Sequence, residues 1–176
     1  MISNRLIDDY GEVVVNTNLR IGQGYDVHAF DVGDHVTLGG VAIPHAVGIK
    51  AHSDGDVVLH ALCDALLGAA ALGDIGMHFP DTDMKWKDAN SRDLLRHVMS
   101  LLNAQSYSLV NVDVTVLADA PRIGQYRESM RQNIAADLNI DISQVNIKAT
   151  TSEGMGFIGK REGLACHAIV MIEGLK

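Results

Sequence analysis

Cysteine is scarce in this chain: Cys63 and Cys166 are the only two among 176 residues. Cys63 falls in an apolar stretch of helical period and Cys166 in an apolar strand-like run. Both read as buried thiols rather than a disulfide, which suits a reducing compartment. Positive charge is scarce too. Lys and Arg number 14 against 22 Asp and Glu, a formal net charge of −8. That balance excludes a broad nucleic-acid surface, though not a local basic pocket for phosphates. No apolar run reaches transmembrane length, and the first eighteen residues lack the apolar centre of a signal peptide, so no membrane partner is expected. Also missing are internal repeats, low-complexity tracts, and any serine or cysteine set beside a base as an activated nucleophile.

What is present fits one domain with a real core, 47% hydrophobic by composition. Ile21 to Phe30 reads as a strand. Val36–Leu38 and Val41–Ile43 flank Gly39-Gly40 as a hairpin. Ser53 or Asp54 is expected to cap a helix that runs to about Leu72 and stops at Gly73. A second helix begins near Ser91, and Tyr126, Met130, Ile134 and Leu138 mark a third. Strands are expected at Val112–Val116, Val145–Ala149 and Leu164–Ile172. The predicted class is α+β: a single mixed β-sheet with helices packed on one face. Residues 1–19 stand apart as a polar extension, with Val13-Val14-Val15 as a possible added edge strand.

Three metal-ligand residues carry the chemistry. Asp26 and His28 share a strand face, because side chains alternate with period two. His60 lies on the following helix. Two imidazoles and a carboxylate leave a fourth tetrahedral position open, as in a catalytic zinc site. The bland reading uses the same residues: His60 as a core histidine with a partner, Asp26 bonded to nearby backbone, and Asp56, His60 and Asp64 as a solvated stripe. Spacing alone leaves both open. If the metal is real, Asp56 and Asp64 are candidates to hold the His60 ring.

Three loops add polar groups. Gly73 to Asp83 holds three carboxylates and a histidine, though Asp81 and Asp83 fit simple backbone capping as well. Ala118-Asp119-Ala120-Pro121-Arg122 offers small residues and an arginine. Thr150-Thr151-Ser152-Glu153-Gly154 suits a phosphate cradle, with Glu153 for a hard cation.

Taken together, Ile21-Gly22-Gln23-Gly24-Tyr25-Asp26-Val27-His28, His52-Ser53-Asp54-Gly55-Asp56 with His60, Gly73-Asp74-Ile75-Gly76 and Phe79-Pro80-Asp81-Thr82-Asp83 resemble the 2-C-methyl-D-erythritol 2,4-cyclodiphosphate synthase family. So do Ala120-Pro121, Lys148-Ala149-Thr150-Thr151 with Glu153, and Gly156-Phe157 with Gly159. The likeness runs in order from Arg20 to the C-terminus, so residues 20–176 are expected to form the synthase domain. It implies a phosphorus–oxygen lyase of the non-mevalonate isoprenoid pathway. The 2-phosphate of 4-diphosphocytidyl-2-C-methyl-D-erythritol 2-phosphate attacks the β-phosphorus, and CMP leaves. The resemblance further implies Zn2+ on Asp26, His28 and His60, and Mg2+ or Mn2+ on Glu153. His52 and Thr151 would be catalytic. Ser53, Asp74, Ile75, Gly76, Phe79, Asp81, Asp83, Ala118, Ala120, Pro121, Arg122, Thr150, Phe157 and Lys160 would meet the substrate.

Lys160 stands where some relatives have arginine, so a forked phosphate contact there is not implied. The family likeness also implies a homotrimer with the sheets facing inward and the sites between subunits. It implies one catalytic step for a chain of this length, in a bacterial cytoplasm or a plastid stroma. A zinc hydrolase using metal-bound water and a non-catalytic metal-binding module are the competing readings. Against the hydrolase stands the lack of ligands for a second hydrolytic metal and of a clear base near the triad.

Overall fold

The structure is a computed structural model that describes residues 17–80, 82–86 and 89–174, together with the backbone of 5–7 and 13–15. In chain order it contains β1 (Arg5–Ile7), β2 (Val13–Val15), β3 (Leu19–Asp31), β4 (His35–Leu38), β5 (Val41–Pro44), β6 (Gly48–Ile49), α1 (Val57–Ala70), α2 (Ile75–His78), α3 (Ser91–Ala104), β7 (Tyr107–Leu117), α4 (Arg127–Leu138), β8 (Val145–Thr150), α5 (Gly156–Gly159) and β9 (Gly163–Gly174). The main sheet has the order β6-β3-β9-β7-β8. Its pairs are antiparallel except β7 with β8, so the sheet is mixed as expected. Val13–Val15 does not add an edge strand to it: β2 pairs with β1 in a separate ribbon.

One face of the sheet carries the core. Val112, Val114 and Val116 of β7, Val145 and Ile147 of β8, and Ala168, Val170 and Ile172 of β9 are buried there, in one cluster with the apolar faces of α1, α3 and α4. α1 is buried almost all round, which is the pattern of a central helix with neighbours on every side. It lies unusually close to β3, and two glycines are the cause. A Cβ on Gly24 would sit 1.9 Å from the Ala61 carbonyl oxygen, and one on Gly22 would sit 1.9 Å from that of Ala65. Only hydrogen fits, so the helix backbone rests directly on the strand.

The start of α1 differs from expectation. Asp56, not Ser53 or Asp54, is the cap, accepting from the backbone N–H groups of Val58 and Leu59 at 3.1 Å each. The same carboxylate accepts from Gly39 N–H at 2.9 Å and Gly40 N–H at 2.6 Å. Gly39 and Gly40 have φ of 57° and 70°, the conformation a tight hairpin of this kind requires. One buried side chain therefore ties the β4–β5 turn to the helix start. Burial pushes the Asp56 carboxyl up to about 6, even against the backbone donors of Gly40, Gly39 and Leu59. The helix also ends earlier than Gly73: Ala71 takes the left-handed cap at φ 57°. The third helix starts at Arg127, because Gly124–Tyr126 forms a separate 3-10 turn.

Among the described residues, nothing covers the apolar side chains of the opposite sheet face. Ile21 is 68% exposed and Ile169 50%, with Tyr25 and Val27 beside them.

Candidate active site

Strand alternation places Gly22, Gly24, Asp26 and His28 on the α1 side of β3. The glycines draw α1 down over that side, and its first turn carries His60 above Asp26 and His28. His28 Nδ1 lies 3.0 Å from Asp26 Oδ2, and His60 Nδ1 lies 3.1 Å from the same oxygen. A ligand atom from each of the three residues lies within 4.8 Å of the others. The predicted trio is thus one cluster, and a part-buried one.

Two observations test whether a metal fits. First, His28 Nδ1 is buried and has no hydrogen-bond partner among the described residues, although a carboxylate oxygen lies close by. A buried polar atom with no partner is costly, and a coordinated cation would remove that cost. Second, tetrahedral zinc with ligands at about 2.0–2.1 Å holds them roughly 3.3 Å apart, a few tenths beyond these separations. The donor set fits zinc.

Without a metal, the three groups set one another's charge. Burial alone would raise Asp26, but the contacts and charges of His28 and His60 hold it well below the usual carboxylate range. Burial would lower His60; the hydrogen bond and charge of Asp26, with Asp56 and Asp54 behind it, raise it instead.

A cleft of about 230 Å³ opens over the trio, lined by Asp26, His28, His52, Ser53, His60, Asp64, Ile75, Gly76, Phe79, Trp86 and Leu94. The predicted His52, Ser53, Ile75, Gly76 and Phe79 are therefore brought to the Asp26/His28/His60 trio. Phe79 is edge-on to Trp86, with ring centroids 4.8 Å apart, which makes an apolar wall. Trp86, Leu94 and Asp64 were not foreseen as lining residues.

The holders of His60 also differ from expectation. Asp56 is occupied with its four backbone donors. Asp64 accepts from Ile75 N–H at 2.7 Å and so pins the start of α2. The groups at His60 Nε2 are Ser91 Oγ at 2.8 Å and Ser53 Oγ at 3.3 Å. Ser91 had no signal in the sequence beyond its place at a helix start.

The remaining predicted residues that the structure describes do not line this cleft. Asp74 caps α2 through Met77 N–H at 2.9 Å, and Asp83 accepts from Lys85 N–H at 3.0 Å. Asp81 lies outside the described residues. A second group forms at the ends of β7 and β8. There Ala118 N–H donates to the Thr150 carbonyl at 3.1 Å, and Asp119 accepts from Ser152 N–H at 2.9 Å. This brings the Ala118–Arg122 loop, with Ala120, Pro121 and an exposed Arg122, beside Thr150 and Thr151. Thr151 Oγ1 donates to Glu153 Oε1 at 2.7 Å. Glu153 has φ 53°, a left-handed conformation that costs a non-glycine residue roughly 1–2 kcal/mol. Phe157 and Lys160 follow on and after α5, both exposed. The described residues thus form two separate groups: the Asp26/His28/His60 trio with its cleft, and a hydroxyl- and carboxylate-bearing loop pair.

Known proteins share this sequence and fold. Residues 19–173 match the YgbB family. A 2-C-methyl-D-erythritol 2,4-cyclodiphosphate synthase from Thioalkalivibrio sulfidiphilus is 61% identical over 156 residues, 89% of this chain and 98% of the relative. Among solved structures, a Plasmodium falciparum IspF–CDP complex superposes with a TM-score of 0.80 at 38% identity, covering 92% of this chain and 99% of that one. The bifunctional IspDF of Campylobacter jejuni superposes with a TM-score of 0.88 at 38% identity, covering 96% of this chain and 49% of that longer one. Matched by the family model over residues 19–173 and by relatives over nearly its whole length, the chain belongs to the YgbB family, the family of the 2-C-methyl-D-erythritol 2,4-cyclodiphosphate synthases.

Proposed function

We propose that this protein converts 4-diphosphocytidyl-2-C-methyl-D-erythritol 2-phosphate into 2-C-methyl-D-erythritol 2,4-cyclodiphosphate and CMP. The observation that carries this reading is the Asp26/His28/His60 cluster, with an unpartnered His28 Nδ1 at the floor of a cleft, in a chain of this family. A 2-phosphate oxygen forms the new bond to the β-phosphorus. The bond from that phosphorus to the oxygen bridging to the α-phosphate breaks, and CMP departs with the bridging oxygen. Nucleophile and electrophile belong to one molecule, so the protein's part is to fold the substrate and oppose phosphate charge.

Asp26, His28 and His60 would hold zinc, and Glu153 would help hold magnesium or manganese. Such cations, when bound, polarise phosphate oxygens and offset their charge. His52, exposed at the cleft mouth, would donate to a phosphate oxygen, and Thr151 would do so by hydroxyl or backbone. Ser53, Ile75, Gly76 and Phe79 would enclose the methylerythritol and ribose portions, with Asp74 at the ribose and Asp81 and Asp83 nearby. Ala118, Ala120, Pro121, Arg122, Thr150, Phe157 and Lys160 would form the nucleotide and phosphate side.

We assign this activity to residues 20–176, within a homotrimer whose bare sheet faces turn inward, in a bacterial cytoplasm. Incubation with the diphosphocytidyl substrate tests the reading. CMP with a cyclic diphosphate is the expected outcome. A linear, hydrolysed product would replace the reading with a metal-dependent hydrolase, and no turnover would remove it.

A further inference from the structure

Ser91 is completely buried at the first turn of α3, yet its hydroxyl lies 2.8 Å from His60 Nε2, on the side of the ring away from Asp26. Its partners fix its polarity. The Ser91 hydroxyl donates to Asp54 Oδ1, and Ser91 N–H donates to Asp54 Oδ2 at 3.0 Å. Asp56 N–H also donates to Asp54 Oδ1 at 3.3 Å.

A serine hydroxyl has one proton, and here that proton goes to the carboxylate. The oxygen can therefore meet His60 only as an acceptor, and at 2.8 Å it is the nearer of the two hydroxyls at Nε2, Ser53 Oγ standing at 3.3 Å; this favours the imidazole proton on Nε2. Neutral His60 then has its lone pair on Nδ1, the atom that faces Asp26 Oδ2. Two electron-rich atoms turned toward one another at 3.1 Å take a positive charge between them: a proton on Nδ1 in the metal-free chain, a metal ion when one is bound.

We propose that Asp54 and Ser91 are positioning residues for His60: a carboxylate–hydroxyl–imidazole line that holds the proton on Nε2 and turns the Nδ1 lone pair onto the metal position. The inference rests on the reading of Asp26, His28 and His60 as metal ligands. It also explains why the loop before α1 and the start of α3 are stitched together across 37 residues of sequence by a single carboxylate. Partners of this kind, behind a metal-bound histidine, typically contribute 10- to 100-fold to metal affinity, roughly.

The test uses zinc alone. In zinc-loaded wild-type protein with 15N-labelled histidine, NMR should show His60 coordinated through Nδ1, with a slowly exchanging proton on Nε2. Ser91→Ala should raise the zinc dissociation constant about 10- to 100-fold in a chelator competition, and should speed exchange of the Nε2 proton. Coordination through His60 Nε2 overturns the proposal without any variant, so a Ser91→Ala chain that fails to fold does not shield it. Unchanged zinc affinity in a folded Ser91→Ala chain overturns it equally. Wild-type protein that binds no zinc at all instead removes the metal reading beneath it.

Discussion

His28 and His60 reach Asp26 from two different elements, and each supplies an imidazole nitrogen to the same oxygen. Replacing either with alanine should remove zinc and turnover together. Full zinc occupancy by metal analysis in both variants would disprove the ligand assignment. The pair also has a pH signature. Asp26 is lowered, so its contribution to stability is present above about 4, its unfolded range, and is lost in strong acid. His60 is raised, so its contribution is full below about 6.5 and fades as pH climbs through its folded value. Without metal, the ion pairs therefore stabilise the fold best in mild acid. Zinc reverses the trend, because it needs His60 unprotonated and binds more tightly as pH rises. Melting temperatures should diverge with rising pH between zinc-loaded and chelator-treated protein; parallel curves would count against zinc at this site. Glu153 gives a different kind of prediction. Its left-handed backbone means that Glu153→Gly should leave stability unchanged or raise it by up to about 1 kcal/mol. The same change should cut turnover severely while zinc content stays constant. Undiminished turnover at saturating magnesium would take Glu153 out of the reaction.

At the scale of elements, the site depends on how closely α1 lies on β3. Gly24→Ala would drive a methyl into the Ala61 carbonyl, and the helix would have to lift. Overpacking of this sort costs about 1–3 kcal/mol, and here it should also open the distance between His60 and Asp26. Urea denaturation and zinc titration of one variant should report both losses; full zinc affinity in a destabilised Gly24→Ala chain would show that the glycine serves packing alone. The same contrast shows what could be read from the chain in advance. Period-two spacing gave Asp26 and His28 a common face, and the apolar run around His60 identified its helix. The cap was expected at Ser53 or Asp54 and lies at Asp56, because all three are cap-forming residues within one turn. Asp56 takes the role because it alone also reaches Gly39 and Gly40, a contact that depends on the β4–β5 hairpin folding back. Asp56→Ala should cost about 2–4 kcal/mol by urea denaturation, since cap and turn donors lose their acceptor together; a loss under 0.5 kcal/mol would contradict that linkage. Ser91, Trp86 and Leu94 were invisible for the same reason: nothing local in sequence says that α3 and the Met84–Trp86 turn close over the His60 ring.

For the whole molecule, two features of the single chain point to a partner. One sheet face is covered by helices, while the other leaves Ile21, Tyr25, Val27 and Ile169 open to solvent. The cleft over the metal ligands is lined wholly by residues between Asp26 and Leu94, while Thr151, Glu153 and the Ala118–Arg122 loop lie elsewhere. A closed three-fold ring with these sheet faces inward would cover the apolar residues and could set the metal half of one chain against the loop half of the next. Ile169→Asp should then lower the sedimenting mass from three chains toward one, and with it the turnover, while each chain keeps its zinc. Complementation tests the shared site directly. His60→Ala chains lack the metal half and Glu153→Gln chains lack the other, so each is inactive alone. If every site takes its metal half from one chain and its loop half from a neighbour, equal mixing with free exchange pairs two intact halves at about a quarter of the interfaces, given random assembly around the ring. The mixture should therefore recover about a quarter of wild-type turnover per site. Recovery requires exchange, so the mixing should follow mild dissociation, with differently tagged chains co-purifying as proof. If tagged hetero-oligomers form and turnover stays at the level of the parent variants, the two halves must meet within one chain, and the inward-facing arrangement would have to be abandoned.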